Sequence, residues 1–391
     1  MISKLRLTSL PPLPTFPHVD RSPINPRILR LTPLDSALSR LAALTPLINP
    51  IDRPLMQAVG AVLALDVQSP VNLPPEPTAY TDGWSVNAED LLGSSAYSAA
   101  ILTPPPNWVD AGDRLQCGNS ILPREAVRIV APGVAEAAGP ATPGEGVRAI
   151  GQDISTGELI LPAGTRLVPR HLGILNACGF DTISVRSPRV RLIFANAAVA
   201  VHSDWVRIWL EAAGAQVVDV VLAPDGQAVL AACYSMSGAD LVISVGGTGQ
   251  GRNDCAIAAL AEAGAVDLYG LALNPGSSAA FGHVGSMPVI LVPGRFDAMI
   301  AGLLMLVERG LAAATGVKPI AGLVPSRLAE KVTSTIGFDE LFLGVPFGVE
   351  IRPALLTGAS FDTITRAIGW FVVPPSSEGI AAGETVHLRP F

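Results

Sequence analysis

Lysine is almost missing from this 391-residue chain: Lys4, Lys318 and Lys331 are the only three, and Leu5–Val317 holds none. A P-loop needs a lysine beside its glycines, and a Schiff-base enzyme needs one in its pocket, so neither fits that interval. Positive charge in the middle of the chain has to come from arginine, backbone amides or a metal. The four cysteines, at 117, 178, 233 and 255, form no C-x-x-C pair. That spacing argues against structural zinc and against a disulfide framework, and for reduced thiols in a cytoplasmic protein. The five histidines never fall at H-E-x-x-H spacing. Apolar stretches such as Ala298–Val307 stop well short of the roughly 20 residues of a spanning helix. Met1–Pro17 lacks the apolar centre of a signal peptide, so neither membrane insertion nor export is expected. A net charge of −7 argues against nucleic-acid binding by bulk electrostatics.

What is present is apolar and turn-rich: 49% hydrophobic residues with 38 glycines and 35 prolines, in a chain too long for one ordinary core. Residues 1–30 carry Pro11, Pro12, Pro14, Pro17, Pro23 and Pro26, which oppose helix and favour an extended arm. Thr32-Pro33-Leu34-Asp35 then reads as a helix start, followed by Leu34, Ala37, Leu38, Leu41 and Leu44 at helical spacing. A second short helix is expected over Leu55–Leu65. Between Val71 and Gly146 the texture changes to short strand-like runs, clearest at Trp84–Val86, Ala99–Leu102 and Ala126–Val130, punctuated by turn formers. Mixed structure returns with Leu159–Val168 and a short helix His171–Cys178. From Arg189 onward, strands at Val190–Phe194, Val217–Leu222, Leu241–Val245, Leu268–Leu273 and Val289–Val292 alternate with helices at Asp204–Ala213, Gly226–Ser235, Asp254–Ala263 and Phe296 to about Ala314. That alternation predicts a parallel, doubly wound α/β domain. The organisation expected is therefore an arm (1–30), a discontinuous mixed α/β linker region (31–70 and 151–187), a β-rich insertion (71–150), the α/β domain (188–325) and a small C-terminal β domain (326–391).

The clearest site signal is Gly246-Gly247-Thr248-Gly249-Gln250-Gly251, directly after the apolar strand Leu241–Val245 and before a helix. Glycines let a ligand approach the backbone, and free amides at a helix start attract anions. Open α/β sheets bind ligands beyond the carboxyl ends of their strands, where this loop falls. A tight turn that binds nothing is the bland alternative. A dinucleotide site fits less well, because the spacing is not G-x-G-x-x-G. Thr81-Asp82-Gly83-Trp84, Gly151-Gln152-Asp153-Ile154 and Asn274-Pro275-Gly276-Ser277-Ser278 also look like ligand loops.

The order of these segments resembles the molybdopterin molybdenumtransferase family, of the MoeA or gephyrin E-domain type, from about Leu31 to Phe391. Thr81–Val86 is similar to the family's M-D-G-Y-A-V, and Cys117-Gly118-Asn119 with Pro123 to its T-G-A-P loop. Gly151-Gln152-Asp153-Ile154 resembles G-E-D-I. Asp240–Asp254 resembles D-x-V-I-x-x-G-G-V-S-x-G-x-x-D, and Val292-Pro293-Gly294 resembles L-P-G. The resemblance implies an elongated multidomain molecule that works as a homodimer, transferring molybdate to adenylylated molybdopterin with Mg²⁺. It implies catalytic contacts from Asp82, Asp153 and Asp254. Cofactor contacts would come from Gly246, Gly247, Thr248, Gly249, Gly251, Cys117, Gly118, Pro275, Gly276, Pro293 and Gly294, and metal contacts from Asp225 and Asp254. A molybdoenzyme or a Mog-like protein is the partner it implies.

The departures from that pattern are local. Phe194–Ala200 has no acidic pair where the family has S-T-G-D-E-L. Asn274 and Ser278 replace the two lysines of K-P-G-K-P, Cys117 replaces a threonine, and Phe296 replaces the last proline of L-P-G-N-P. Arginines 124, 128, 252 and 295 lie near the matching loops, with a rigid fork in place of a point charge. A paralogue that binds the pterin or a partner molybdoenzyme without turnover is the alternative these losses raise.

Overall fold

A computed structural model describes residues 31–223, 226–318 and 323–391 of the chain. The expected N-terminal arm and Asp225 lie outside the described residues. The centre is a six-stranded sheet in the order Gln216–Leu222, Arg189–Phe194, Leu241–Val245, Met287–Val292, Ala280–Val284, Ala265–Tyr269. The first four strands run parallel, with Val190 beside Leu241 and Val242 beside Val289. Val190–Phe194 and Leu241–Val245 are wholly buried, as expected of strands covered by helices on both faces. One face carries helices Leu34–Leu44, Ser203–Ala212 and Phe296–Thr315 around Leu192, Phe194, Ile243 and Met299. The other carries Gln227–Tyr234 and Ala256–Ala263 around Ile193, Val242 and Leu291.

Two expectations are corrected here. The sheet is mixed rather than wholly parallel, because Ala280–Val284 runs antiparallel to both of its neighbours. Gly282 inside that strand hides its pattern, and a Cβ there would lie 2.0 Å from the Ala265 carbonyl oxygen. The segment Leu55–Leu65 is not a helix. It makes one turn at Leu55–Gln57, reverses at Gly60 with φ +83°, and enters strand Val62–Leu63 beside Val185 and Arg186. Helix Leu34–Leu44, assigned by sequence to the linker region, buries Leu34, Ala37 and Leu41 in the α/β core.

Helix Phe296–Thr315 is one continuous helix whose Leu303–Val307 segment is a π-turn. Its length and composition would suit a membrane span, contrary to the sequence expectation, yet 78% of its apolar window is buried inside the protein, which makes it a core helix.

Strand Ile51–Pro54 pairs with Thr182–Arg186, and Val67–Gln68 with Leu159–Leu161, so chain from either side of the insertion shares one small core. Inside the insertion, Gly83–Val86 lies between Asn107–Val109 and Ser120–Leu122. At the far end, Asp339–Phe347 pairs with Glu350–Leu355 and Gly369–Val373, and is joined to the α/β unit by Leu273–Asn274.

Candidate functional site at the carboxyl ends of the strands

Strand Leu241–Val245 ends in Gly246 and Gly247, with φ +90° and +70°, a region open to glycine at little cost. These two residues turn the chain across the sheet edge. The Gly246 amide donates to the Val292 carbonyl (2.8 Å), so the first glycine is tied to the strand that ends in Pro293-Gly294. Thr248 is buried. Its carbonyl accepts the Tyr269 hydroxyl (3.1 Å), and its hydroxyl lies 3.2 Å from that of Ser278. Burial first, and the Asp254 charge second, push the Tyr269 phenol up, keeping it a donor. The structure thus brings together the loops 246–251, 275–278 and 293–294, all at the sheet's carboxyl edge.

Asp254 sits under the glycine loop. Its carboxylate accepts the Gly251 amide (2.8 Å), and a Cβ on Gly249 or Gly251 would stand 2.6 or 2.9 Å from that same oxygen. A side chain on either glycine would therefore press on the Asp254 carboxylate, a structural reason that stands beside the ligand reading. Across the crevice, Asn196 caps a single turn Ala197–Ala200 by accepting the Val199 amide (3.2 Å). Val199 leans on the glycines: a Cβ on Gly294 would lie 2.6 Å from one of its methyls, and one on Gly246 3.0 Å from the other. Where the family resemblance implied carboxylates, an apolar side chain covers the backbone.

The replaced lysine positions are engaged elsewhere. Asn274 donates to Glu340 (2.6 Å) and accepts the Thr357 hydroxyl (2.9 Å), bridging to the C-terminal unit. Asp297, three residues past Gly294, is buried and accepts from Arg295 (2.6 Å), the Ala298 amide (2.7 Å) and the Gly358 amide (2.8 Å). Burial raises the Asp297 carboxyl, but these donors outweigh it and hold it below its ordinary value. Burial likewise raises Glu340, and Asn274 and the Thr335 amide more than reverse it. Nothing in the sequence marked Tyr269, Asp297, Glu340 or Thr357, each of which has a partner 21 to 83 residues away.

The remaining candidates stand apart from this edge. Asp82 accepts the Ala111 amide (2.7 Å), and Asp153 pairs with Arg148, in turns of the β-rich and linker regions. Cys117 is exposed and Gly118 packs against Ser85 and Val86. Ser85, Asn107, Trp108, Arg114 and Cys117 line a cavity of ≈ 470 Å³ in that region. No hydrogen bond, ion pair or shared core cluster among the described residues joins these groups to the glycine loop. A cavity of ≈ 520 Å³ lined by Arg189, Gln216, Asp240 and Met287 opens where the strands begin, the wrong end of the sheet for a ligand of an α/β fold. Among the described residues no three His, Cys, Asp or Glu side chains cluster as a metal cage. Of the nearby arginines, Arg128 pairs with Glu136 and Arg295 with Asp297, Arg124 lies over Trp108, and Arg252 is exposed beside the loop.

Two family models match in succession: the MoeA N-terminal region (domain I and II) over residues 32–179, and a probable molybdopterin binding domain over residues 187–313. The chain belongs to the MoeA family. Among curated relatives of this MoeA-family chain, the molybdopterin molybdenumtransferase of Haemophilus influenzae is 24% identical over 374 residues, covering 86% of this chain and 93% of that one. Molybdopterin molybdenumtransferase 2 of Mycobacterium tuberculosis is 28% identical over 387 residues, covering 87% and 95%. The crystal structure of the molybdopterin biosynthesis moeA protein from Pyrococcus horikoshii shares the fold, with a TM-score of 0.76 at 22% identity over 93% of this chain and 100% of that one. The segment matched by the probable molybdopterin binding domain includes the loops 246–251, 275–278 and 293–294.

Proposed function

We propose that this protein acts in molybdenum cofactor biosynthesis, binding a molybdopterin at the carboxyl edge of its six-stranded sheet. The observation that carries the reading is the meeting of three glycine-containing loops at that edge, inside the segment matched by the molybdopterin-binding model. Gly246, Gly247, Gly249 and Gly251 offer close backbone approach to a phosphate or pterin, flanked by Pro275-Gly276 and Pro293-Gly294. The chemistry assigned is that of the transferases the chain resembles, release of AMP from adenylylated molybdopterin as molybdate is taken up. Asp82, Cys117, Gly118 and Asp153 would join the site from the partner subunit of a cytoplasmic homodimer. The described residues offer Mg²⁺ no cage of three His, Cys, Asp or Glu side chains.

One observation favours binding without turnover as a second reading. The residues after the first strand present Val199 rather than a carboxylate, and Asn274 and Ser278 are committed to Glu340, Thr357 and Thr248. Removing one charged contact from a preorganised site costs on the order of 10²–10³ in rate. Supplying adenylylated molybdopterin, molybdate and Mg²⁺ while following AMP release and ligand retention separates the two. Retention with AMP release supports the transferase, and retention alone supports a carrier that serves a molybdoenzyme. A protein that retains no pterin refutes both.

A further inference from the structure

Phe296, the first residue of the long helix, lies at the centre of an aromatic cluster that neither the fold nor the proposed site explains. Its ring centroid is 5.1 Å from His202, 5.5 Å from Trp205 and 5.2 Å from Phe361 of the C-terminal unit. The cluster faces outward: Phe361 is 70% exposed, and Val201, Trp205 and Ile208, which follow one another at helical spacing, are all exposed. Aromatic surface left this open on a folded protein marks a place where something docks. Two exposed carboxylates flank it, Asp204 and Asp362, each paired within its own helix, with Arg207 (3.9 Å) and Arg366 (3.6 Å).

The chain carries a segment suited to that surface. Residues 11–17 read Pro-Pro-Leu-Pro-Thr-Phe-Pro, two overlapping P-x-x-P spacings, and aromatic-lined grooves recognise such segments as polyproline II helices. Residues 1–30 also hold Lys4, Arg6, Arg21, Arg27 and Arg30 against the single carboxylate Asp20, in a chain whose net charge is −7. The arm is thus cationic and the rest of the molecule acidic. The point of attachment fits as well. Thr32 bridges Leu271, just past the carboxyl end of edge strand Ala265–Tyr269, while Phe296 follows the carboxyl end of Met287–Val292. These strands are two places apart in one sheet, about 10 Å. The roughly 14 residues from Pro17 to Leu31 span about 43 Å in a polyproline conformation, ample for the crossing.

We propose that residues 11–17 of the chain's own N-terminal arm dock on the Phe296–Trp205–Phe361 platform, beside the mouth of the glycine-lined crevice. A tether of this length supplies an effective concentration on the order of millimolar. A segment with an intrinsic Kd of about 0.1 mM is then docked for about nine-tenths of the time. Hydroxyl-radical footprinting of the full chain reads this directly. Pro11→Ser with Pro14→Ser and Pro17→Ser should raise oxidation of Trp205 and Phe361 about five- to tenfold, while Tyr97 in the β-rich region keeps its rate. Unchanged rates at Trp205 and Phe361 overturn the proposal. In an independent test, Phe16→benzoylphenylalanine should photo-cross-link to residues 201–208 or 361–366 within one chain. Cross-links confined to other segments, or formed only between chains, also overturn it. So does protection of the platform that rises with protein concentration, because a second copy would then be the occupant.

Discussion

Gly294→Ala is the most direct probe of the crevice, because the structure fixes what the added methyl meets. Gly294 does not lie in the left-handed region, so alanine adds no backbone strain and the effect is steric alone. The new Cβ would stand 2.6 Å from a Val199 methyl and 3.2 Å from the Gly246 Cα, and the glycine backbone cannot yield. Overpacking of this kind costs about 1–3 kcal/mol. Val199→Ala alone deletes two nearly buried methyls, about 1.5 kcal/mol at ~0.8 kcal/mol per group. In the double variant the clash with the Val199 methyl is gone, since only the Cβ of residue 199 remains, 3.9 Å from the added methyl, while the 3.2 Å contact with the Gly246 Cα stays. The pair should then cost about 2 kcal/mol, the lost methyls plus the residual backbone contact, instead of the roughly 2.5–4.5 kcal/mol that the single changes would sum to, a coupling of about 0.5–2.5 kcal/mol. Urea unfolding of the four proteins measures it, with equal m-values confirming a common two-state transition. Costs that add within ~0.5 kcal/mol would mean that Val199 does not lie against Gly294, and the account of an apolar side chain covering the crevice would be wrong.

Tyr269→Phe should cost about 1–3 kcal/mol by leaving the Thr248 carbonyl without its buried donor, and should weaken pterin retention in the same preparation. A stable variant with unaltered retention would show that the tyrosine does not hold the loop. Asp297 and Glu340 are both held below their ordinary values of 3.8 and 4.5, so the stability they contribute is complete at neutral pH and is lost as pH falls through the depressed native values. The stability deficit of Glu340→Gln, measured in urea, should therefore be larger at pH 7 than at pH 3, and an equal deficit at both would contradict the linkage. Sedimentation at micromolar concentration should show a dimer, and a lone monomer would remove the partner subunit from the proposed site.

Much of the α/β unit is legible in the sequence because its signals are local. Leu241–Val245 is an apolar run broken only by Ser244 and closed by glycines, and Ser203–Ala212 repeats its apolar side at helical spacing before Gly214. What was hidden is long-range. Ala280–Val284 became a strand between two neighbours, one of which, Ala265–Tyr269, accepts only glycine at 282. Gly60 could not be seen as a reversal point without Gly214, whose own Cβ would fall 2.0 Å from the Gly60 carbonyl oxygen. The site shows the same division. Its glycine loop was visible as a string of residues. Its anchors were not, because Tyr269, Asn274 and Asp297 act through partners brought close only by folding.

The π-turn at Leu303–Val307 works as a phase shift along the longest helix. One extra residue in a turn rotates everything beyond it by about 100° relative to an uninterrupted α-helix. The first part, Phe296–Gly302, can therefore press Met299 and Gly302 onto the sheet, where a Cβ on Gly302 would meet Val292 at 2.6 Å. The last part turns Leu311 and Ala314 inward beside helix Leu34–Leu44 and lets the Ala314 carbonyl accept the Ile48 amide at 2.9 Å. A straight helix would have to choose between those two seats. Deleting a single residue from the turn would regularise the hydrogen bonds and, in the same stroke, aim one end of the helix at the wrong neighbour.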